Sequence, residues 1–184
     1  MYAAWRYDCP LLTEAGKALR ADIRIAVFSC VVNTFAGSVL VPRVLRVVLL
    51  RAAGIRVSRA QIHPNVTFTT RYVSFGQSAY VNRGCFFDSR GGISIGARVH
   101  IGYGAMLCTS THTPGEAACR AGAPWTSPIV VEDGCWIGAR VVILPGVTIG
   151  SGCIIASGAV VTKNCGANGL YGGVPAERKR ELRP

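Results

Sequence analysis

The sequence predicts an all-β fold, a left-handed parallel β-helix of hexapeptide repeats with an N-terminal helical pair and one protruding loop. Three observations support this fold class. A branched aliphatic residue recurs at every sixth position from Val131 to Val161, glycine is abundant (22 of 184 residues), and one polar segment interrupts the repeat. A period of six fits neither an α-helix nor an extended strand. It fits a short strand followed by a sharp turn, and three such units close a triangular coil of about 18 residues.

The repeat obeys a rule at two positions. The aliphatic positions are Val131, Ile137, Ile143, Ile149, Ile155 and Val161, and the slender residues four positions later are Cys135, Val141, Val147, Cys153 and Ala159. The same pattern occurs upstream at Ile95, Ile101 and Leu107, and out of phase at Phe75, Val81 and Phe87. We therefore expect Ile137 to stack on Ile155, with the aliphatic residues filling the prism and the slender residues at its corners.

Two segments lie outside this repeat. Residues 1–60 contain helical signals, with a break near residues 33–38, Pro42 opening a second helix and Gly54 ending it. We expect this helical pair to cover one end of the prism; docking on a membrane is the less favoured alternative. Residues 61–176 form the β-helix, except for the loop 109–128, and residues 177–184 form a basic tail. The apolar stretch 25–41 is too short and too polar to predict a membrane span.

The charge and the cysteines narrow the functional classes. The formal net charge is +11, which suits an anionic partner, and without a nucleic-acid motif a phosphorylated cofactor is favoured over nucleic acid. None of the eight cysteines forms a CxxC pair, so no metal site is expected. We interpret them as small buried residues in a reducing, cytoplasmic compartment.

Three histidines are candidates for proton transfer. His112 stands where the regular coil gives way to the long loop, in the run Thr-Ser-Thr-His-Thr-Pro, and could accept a proton there. An ordinary loop histidine is an equally good interpretation of the chain alone. His100 falls at a turn position and is expected to be a solvated surface residue, and His63 has no evident partner.

Several motifs between residues 80 and 182 carry a family resemblance. They are Asn82-Arg83-Gly84-Cys85, Thr111-His112-Thr113-Pro114, Val131 to Ala139, Ile143 to Gly150, Val160-Val161-Thr162-Lys163 and Gly172-Gly173-Val174-Pro175-Ala176. In order and spacing, they resemble the hexapeptide-repeat acyltransferases of the galactoside, maltose and Nod-factor O-acetyltransferase type. The segment before residue 60 looks more like that of acyltransferases in polysaccharide or natural-product gene sets, which leaves the acceptor open.

This resemblance implies a homotrimer that moves an acetyl or similar acyl group from acyl-coenzyme A to a hydroxyl of a sugar-like small molecule. It implies that His112 is the general base, that Asn82 positions the acceptor or the developing charge, and that Tyr80 and Asp88 line the acceptor pocket. The residues implied for coenzyme A, in a groove between subunits, are Trp136, Ala139, Ser157, Thr162, Lys163, Arg178 and Arg180. Two departures are Ala139, where some relatives have serine, and Glu177, where relatives commonly have a basic residue.

Three alternatives stay open at this point. N-acylation of an amino sugar, a longer acyl chain or a carrier-protein donor would fit the same residues. A γ-type carbonic anhydrase would need three converging histidine ligands for zinc, whose spacing differs from that of the histidines in this chain. A non-catalytic trimeric scaffold would have no need of the Thr-His-Thr-Pro loop or the basic tail.

Overall fold

The computed structural model describes residues 12–183, with side chains described from residue 15 onward. It confirms the parallel β-solenoid with an N-terminal helix pair. Short strands form three parallel sheets, and we name these sheets faces A, B and C in the order in which the chain visits them. Each circuit of the chain passes from A to B to C and then returns to A one layer further along the prism axis.

The strands divide among the three faces as follows. Face A holds β1 (Arg56–Val57), β4 (Val73–Phe75), β7 (Ile93–Ile95), β12 (Ile129–Val131) and β15 (Thr148–Ile149). Face B holds β2 (Gln61–Ile62), β5 (Tyr80–Val81), β8 (His100–Ile101), β13 (Trp136–Ile137), β16 (Ile154–Ile155), β18 (Gly169–Gly172) and the antiparallel β19 (Glu177–Glu181). Face C holds β3 (Thr67–Phe68), β6 (Phe86–Asp88), β9 (Met106–Cys108), β14 (Val142–Ile143) and β17 (Val160–Val161).

The predicted register is confirmed. Ile137 pairs with Ile155 on one side and Ile101 on the other, although the long loop separates Ile101 from Ile137 in the chain. The aliphatic repeat positions are buried, as are the slender ones, including Cys85, Cys135 and Cys153. The interpretation of the cysteines as buried residues is wrong for Cys30 and Cys119, which lie outside the repeat and are exposed. The β-helix begins a little earlier than the predicted residue 61, because β1 (Arg56–Val57) lies in the segment assigned to helices.

At the corners of the prism, the residue directly before each slender residue has a left-handed backbone conformation with positive φ. Ser78 (φ 59°) precedes Ala79, and Gly84 (φ 71°) precedes Cys85. Glycine adopts this conformation without a steric cost, which is why it recurs along the repeat.

The helices close the first circuit. Helix α1 (Leu12–Ser29) runs into a π-helical segment (Cys30–Ala36), and α2 (Arg43–Ala52) packs on β1 and β2. The Asn33 side chain accepts from the Phe68 N–H (2.9 Å) and donates to the Phe68 carbonyl (3.1 Å), so it takes the place of a further strand beside β3. The expectation that the pair covers one end of the prism is met by α2 and the π-helical segment. Residues 15–27 of α1, by contrast, are exposed.

Arg46 is buried in the middle of this cap. Its guanidinium donates to four backbone carbonyls, those of Ala36, Ser38, Val41 and Ile62, at 2.6 to 3.0 Å. Burial, with Arg83 nearby, lowers the pKa of Arg46. These bonds join the helical segments to the first circuit of the solenoid.

Candidate functional site

The long loop is an ordered β-hairpin made of β10 (Ser110–Pro114) and β11 (Ala121–Thr126). It leaves the prism at the C/A edge, where the chain turns from face C to face A. His112 lies opposite Pro124 in the hairpin, with a register shift directly after it, and its side chain is exposed in the single protomer. The sequence predicts the protrusion but not its strands, because the segment has no regular alternation of apolar and polar residues.

Asp88 and Thr109 hold the base of this hairpin. The Asp88 carboxylate accepts from the Ser110 N–H (2.9 Å) and from the Thr69 hydroxyl (3.2 Å). The buried Thr109 hydroxyl donates to the Asp88 carbonyl (2.7 Å) and accepts from the Gly91 N–H (2.8 Å). Asp88 therefore fixes the chain two residues before His112.

Asn82 lies at a different edge of the prism. It follows β5 at the B/C edge, where the chain turns from face B to face C, and its Oδ1 accepts the Arg83 N–H (3.0 Å). Ala139 and Ser157 occupy equivalent turns along the same edge, and the Ala139 N–H donates to the Ser157 hydroxyl (3.2 Å). Within one protomer, face C thus separates Asn82, Ala139 and Ser157 from His112.

Tyr80 belongs to a column of rings on the outside of face B. The Tyr80 ring is stacked on His100, with 5.6 Å between ring centroids, and the His63 ring lies 4.9 Å away on its other side. The expectation that His63 has no partner is wrong, and His100 lies on a strand rather than at a turn. Burial and the nearby Arg83, Arg43 and Arg46 lower the pKa of His63, which favours its neutral form.

Trp136 also lies on the outside of face B. It lies between His100 and Ile154 in the sheet and is 58% exposed, so it is not an ordinary buried tryptophan. A large exposed indole beside the B/C edge is available to a ligand or to a second protomer.

The last four residues expected at coenzyme A are divided between two places. Thr162 and Lys163 follow β17 at the C/A edge and are exposed. Arg178 and Arg180 lie on β19 at the end of face B. The Arg178 guanidinium is engaged by Glu181 (2.7 Å) and by the Ala167 carbonyl (3.0 Å), whereas Arg180 is exposed opposite Leu170. Arg178 is therefore less suited to a phosphate than Lys163 or Arg180.

Face C, which separates the two edges, is apolar on its outer side. One row of outward positions crosses the whole sheet: Thr67, Phe86, Met106, Val142 and Val160. Asp88 and Cys108 also point outward, beside this row at the C/A edge. The corresponding row on face A is largely polar: Arg56, Ser74, Ser94, Val130 and Thr148. A flat apolar row on the outside of a solenoid is typical of a protein–protein interface.

No metal-binding group is found in the part of the chain that the structure describes: no three His, Cys, Asp or Glu side chains lie together in an arrangement that could hold an ion. His63 and His100 flank Tyr80, while His112 lies on the hairpin at the C/A edge.

Comparison with known proteins gives one family match and several relatives. Residues 128–163 match the bacterial transferase hexapeptide family. A Schizosaccharomyces pombe protein provisionally named an acetyltransferase is 40% identical over 126 residues, which are 68% of this chain and 61% of that protein. Galactoside O-acetyltransferase of Lactococcus lactis is 31% identical over 62% of this chain and 56% of its own length. The chain thus matches less than two thirds of the length of these two relatives.

A third relative aligns almost end to end. WcaF of Escherichia coli, provisionally named an acetyltransferase of colanic acid biosynthesis, is 31% identical over 180 residues, 95% of this chain and 94% of its own. Among solved structures, a Vibrio cholerae hexapeptide-repeat acetyltransferase complexed with acetyl-coenzyme A superposes with a TM-score of 0.78 at 26% identity, covering 94% of this chain and 92% of that one. Galactoside acetyltransferase in complex with coenzyme A gives a TM-score of 0.75 at 29% identity, with coverages of 92% and 82%.

Proposed function

The chain belongs to the hexapeptide-repeat acetyltransferase family, and on that premise we propose that it transfers an acetyl group from acetyl-coenzyme A to a hydroxyl of a sugar-like small molecule. His112 takes the proton of the hydroxyl as its oxygen attacks the thioester carbonyl. The carbon–sulfur bond then breaks, and the coenzyme A thiolate leaves and is protonated by the imidazolium of His112. General-base assistance of this kind contributes about 10²–10⁴ to the rate.

The observation that carries the proposal is the division of the candidate residues between the two edges of the apolar face C. If three protomers pack their C faces around a threefold axis parallel to the prisms, the C/A edge of one protomer meets the B/C edge of the next. His112 of one protomer would then approach Asn82 of its neighbour, and neither protomer alone would hold a complete site. Burial of Phe86, Met106, Val142 and Val160 would supply the apolar contact, since each large aliphatic or aromatic side chain fully removed from water contributes about 1.5–3 kcal/mol.

The cofactor would bind in the cleft between the B/C edge of one protomer and the C/A edge of the next. Two family members of known structure hold coenzyme A or acetyl-coenzyme A. We place the pantetheine arm along the B/C edge beside Ala139 and Ser157, with Trp136 at its border. Thr162 and Lys163 of the neighbouring C/A edge face it, and Lys163 and Arg180 are the exposed cations for its phosphates. The Ala139 N–H is bonded to Ser157, so it can stabilise an oxyanion only if that bond is exchanged.

The first experiment measures thiol release from acetyl-coenzyme A with a panel of sugars, glycosides and amino sugars. We expect turnover with at least one hydroxyl acceptor and a loss of about 10²-fold or more in His112→Ala. Glu116→Ala, an exposed change at the tip of the same hairpin, is the matched control and is expected to retain activity. Turnover of amino sugars alone would favour N-acylation, and unchanged activity in His112→Ala would contradict the mechanism.

The second experiment tests the shared site by mixing two inactive variants. His112→Ala and Asn82→Ala are unfolded and refolded together in equal amounts. If each site takes one residue from each of two neighbours, one of the four pairings is intact, so about one quarter of the wild-type activity should return. If both residues act within one protomer, the mixture stays inactive. Native mass of the wild-type protein checks the trimer independently.

A further inference from the structure

Helix α2 turns an apolar face toward solvent. Its inner face contains Arg46 and Leu50, which are buried, while Val44 (79% exposed) and Val48 (53% exposed) lie on the opposite side. Residues four positions apart share one face of a helix, so Val44 and Val48 form a stripe. A helix on the surface of a soluble protein normally buries its apolar stripe and exposes its polar one. In α2, Arg46 lies on the buried side, whereas Val44 and Val48 lie on the exposed side.

The turn before α2 enlarges this surface. Val39 is 60% exposed and Leu40 is 87% exposed, and Leu45 adds a further half-exposed side chain. We call Val39, Leu40, Val44, Leu45 and Val48 the cap surface. Because α2 packs on β1 and β2, the cap surface lies at the end of the prism opposite β19.

The part of the chain that contains the cap surface carries charge of one sign. Between Ile23 and Phe87 the chain contains eight arginines and no aspartate or glutamate. Three of them, Arg43, Arg51 and Arg59, line a groove of about 470 Å³ together with Val44 and Val48. Aliphatic side chains bordered by arginines match a surface that is apolar beneath and anionic at its boundary.

We propose that the cap surface docks on an anionic phospholipid bilayer, with Leu40 and Val44 entering the headgroup region and Arg43, Arg51 and Arg59 contacting lipid phosphates. A second copy of the chain is a poorer occupant, because it would bring the same arginines against each other without a carboxylate between them. None of the helices within residues 12–183 is long and apolar enough to cross a membrane. The proposed contact therefore lies on the bilayer surface.

The trimer would strengthen this contact. If the prisms stand parallel around a threefold axis, as the proposed function requires, three cap surfaces lie in one plane and engage one bilayer together. Linked sites of this kind gain avidity without any new contact. The docking itself does not depend on catalysis, so it is measured by vesicle binding without a substrate.

The test is co-sedimentation of the full-length protein with vesicles of phosphatidylcholine alone or mixed with phosphatidylglycerol. We expect binding to the mixed vesicles that weakens with salt, since the Debye length falls as salt rises. Leu40→Asp combined with Val44→Asp should weaken binding at least tenfold. Arg43→Gln and Arg59→Gln should each weaken it at least fivefold, because a cation near an anionic surface contributes about 1 kcal/mol in each protomer.

Val174→Asp is the matched control, since Val174 is 73% exposed but lies near the other end of the prism, and we expect it to bind vesicles as wild type does. Circular dichroism confirms that each variant folds. The proposal is overturned if wild type stays in the supernatant with mixed vesicles, or if the Leu40, Val44 double variant still binds. It is also overturned if that variant lowers the native mass without lipid, which would assign the cap surface to a second copy. Vesicle binding by an inactive protein would uphold the docking while contradicting the proposed reaction.

Discussion

Replacing Arg46 should separate the helical cap from the solenoid. Two of its four carbonyl partners, Ala36 and Ile62, are reached by fully buried hydrogen bonds, and the other two, Ser38 and Val41, by half-buried ones. Leaving a buried acceptor without a partner costs about 1–3 kcal/mol. The two buried bonds therefore cost about 2–6 kcal/mol in Arg46→Met, which keeps an apolar stem in the same space. Water can reach the two half-buried carbonyls, so they add little, and the expected total stays at about 2–6 kcal/mol.

Arg46→Lys tests whether a positive charge alone is enough to hold the helical cap on the solenoid. Its ammonium keeps the positive charge but cannot match the planar fork that serves carbonyls in several directions. We therefore expect a smaller loss, about 1–3 kcal/mol. Arg43→Met is the matched control, because Arg43 lies on the same helix but is exposed and bonds only to the Gln61 side chain. It should cost less than about 1 kcal/mol.

The assay is urea unfolding followed by circular dichroism and tryptophan fluorescence at one fixed protein concentration, since oligomerisation makes stability concentration-dependent. A loss of a few kcal/mol is a large part of the total stability of an ordinary domain, about 5–15 kcal/mol. An Arg46→Met protein as stable as Arg43→Met would refute the role assigned to the guanidinium. A loss of equal size in Arg46→Lys and Arg46→Met would show that the fork geometry, and not the charge, dominates.

Three further predictions concern the hairpin, the corners and the cysteines. Asp88→Ala should lower kcat about tenfold with little change in the KM for acetyl-coenzyme A, because it releases the base of the His112 hairpin. A rise only in the KM for the acceptor would instead support a direct contact between Asp88 and the acceptor. Ser78→Gly should raise the free energy of unfolding by about 0.5–1 kcal/mol, measured by urea unfolding, because Ser78 has a φ of 59°; Ser78→Ala should give no such gain. Burial raises the pKa of the Cys85 and Cys135 thiols to about 11, so iodoacetamide at pH 8 should label the exposed Cys30 and Cys119 but reach these two only in urea. The same shift means that stability should fall as the pH rises above about 8.5, where thiols of the unfolded chain ionise while the buried ones stay protonated; equal stability at pH 8 and pH 10 would contradict it.

The solenoid could be predicted from the sequence because its signal is local and repeated. Each aliphatic residue reports the same environment, so the register of Ile137 on Ile155 followed from counting. The strand β1 was missed because Val57 and Ile62 are five residues apart instead of six, and Val57 comes only five residues after the end of helix α2. The strands of the hairpin were missed because β10 and β11 are largely exposed and lack an alternating pattern.

The candidate site was predicted as a set of residues but not as an arrangement. Motifs identify Asn82 and His112, but nothing in their spacing shows that one follows face B and the other follows face C. The contact of His63 with Tyr80 joins residues of consecutive circuits, and the out-of-phase first repeats hide that pairing. The role of Asp88 at the hairpin base depends on hydrogen bonds to Thr69 and Ser110, which lie 19 and 22 residues away.

The antiparallel strand β19 has a consequence for solubility. A coil of stacked strands ends in a layer whose N–H and C=O groups could accept another chain, and stacking could then continue from molecule to molecule. On face B, the chain folds back and covers that layer with Glu177, Arg178, Lys179, Arg180 and Glu181. Charged side chains on a terminal strand discourage further pairing. Strand β19 thus prevents strands of another molecule from pairing with this end of face B.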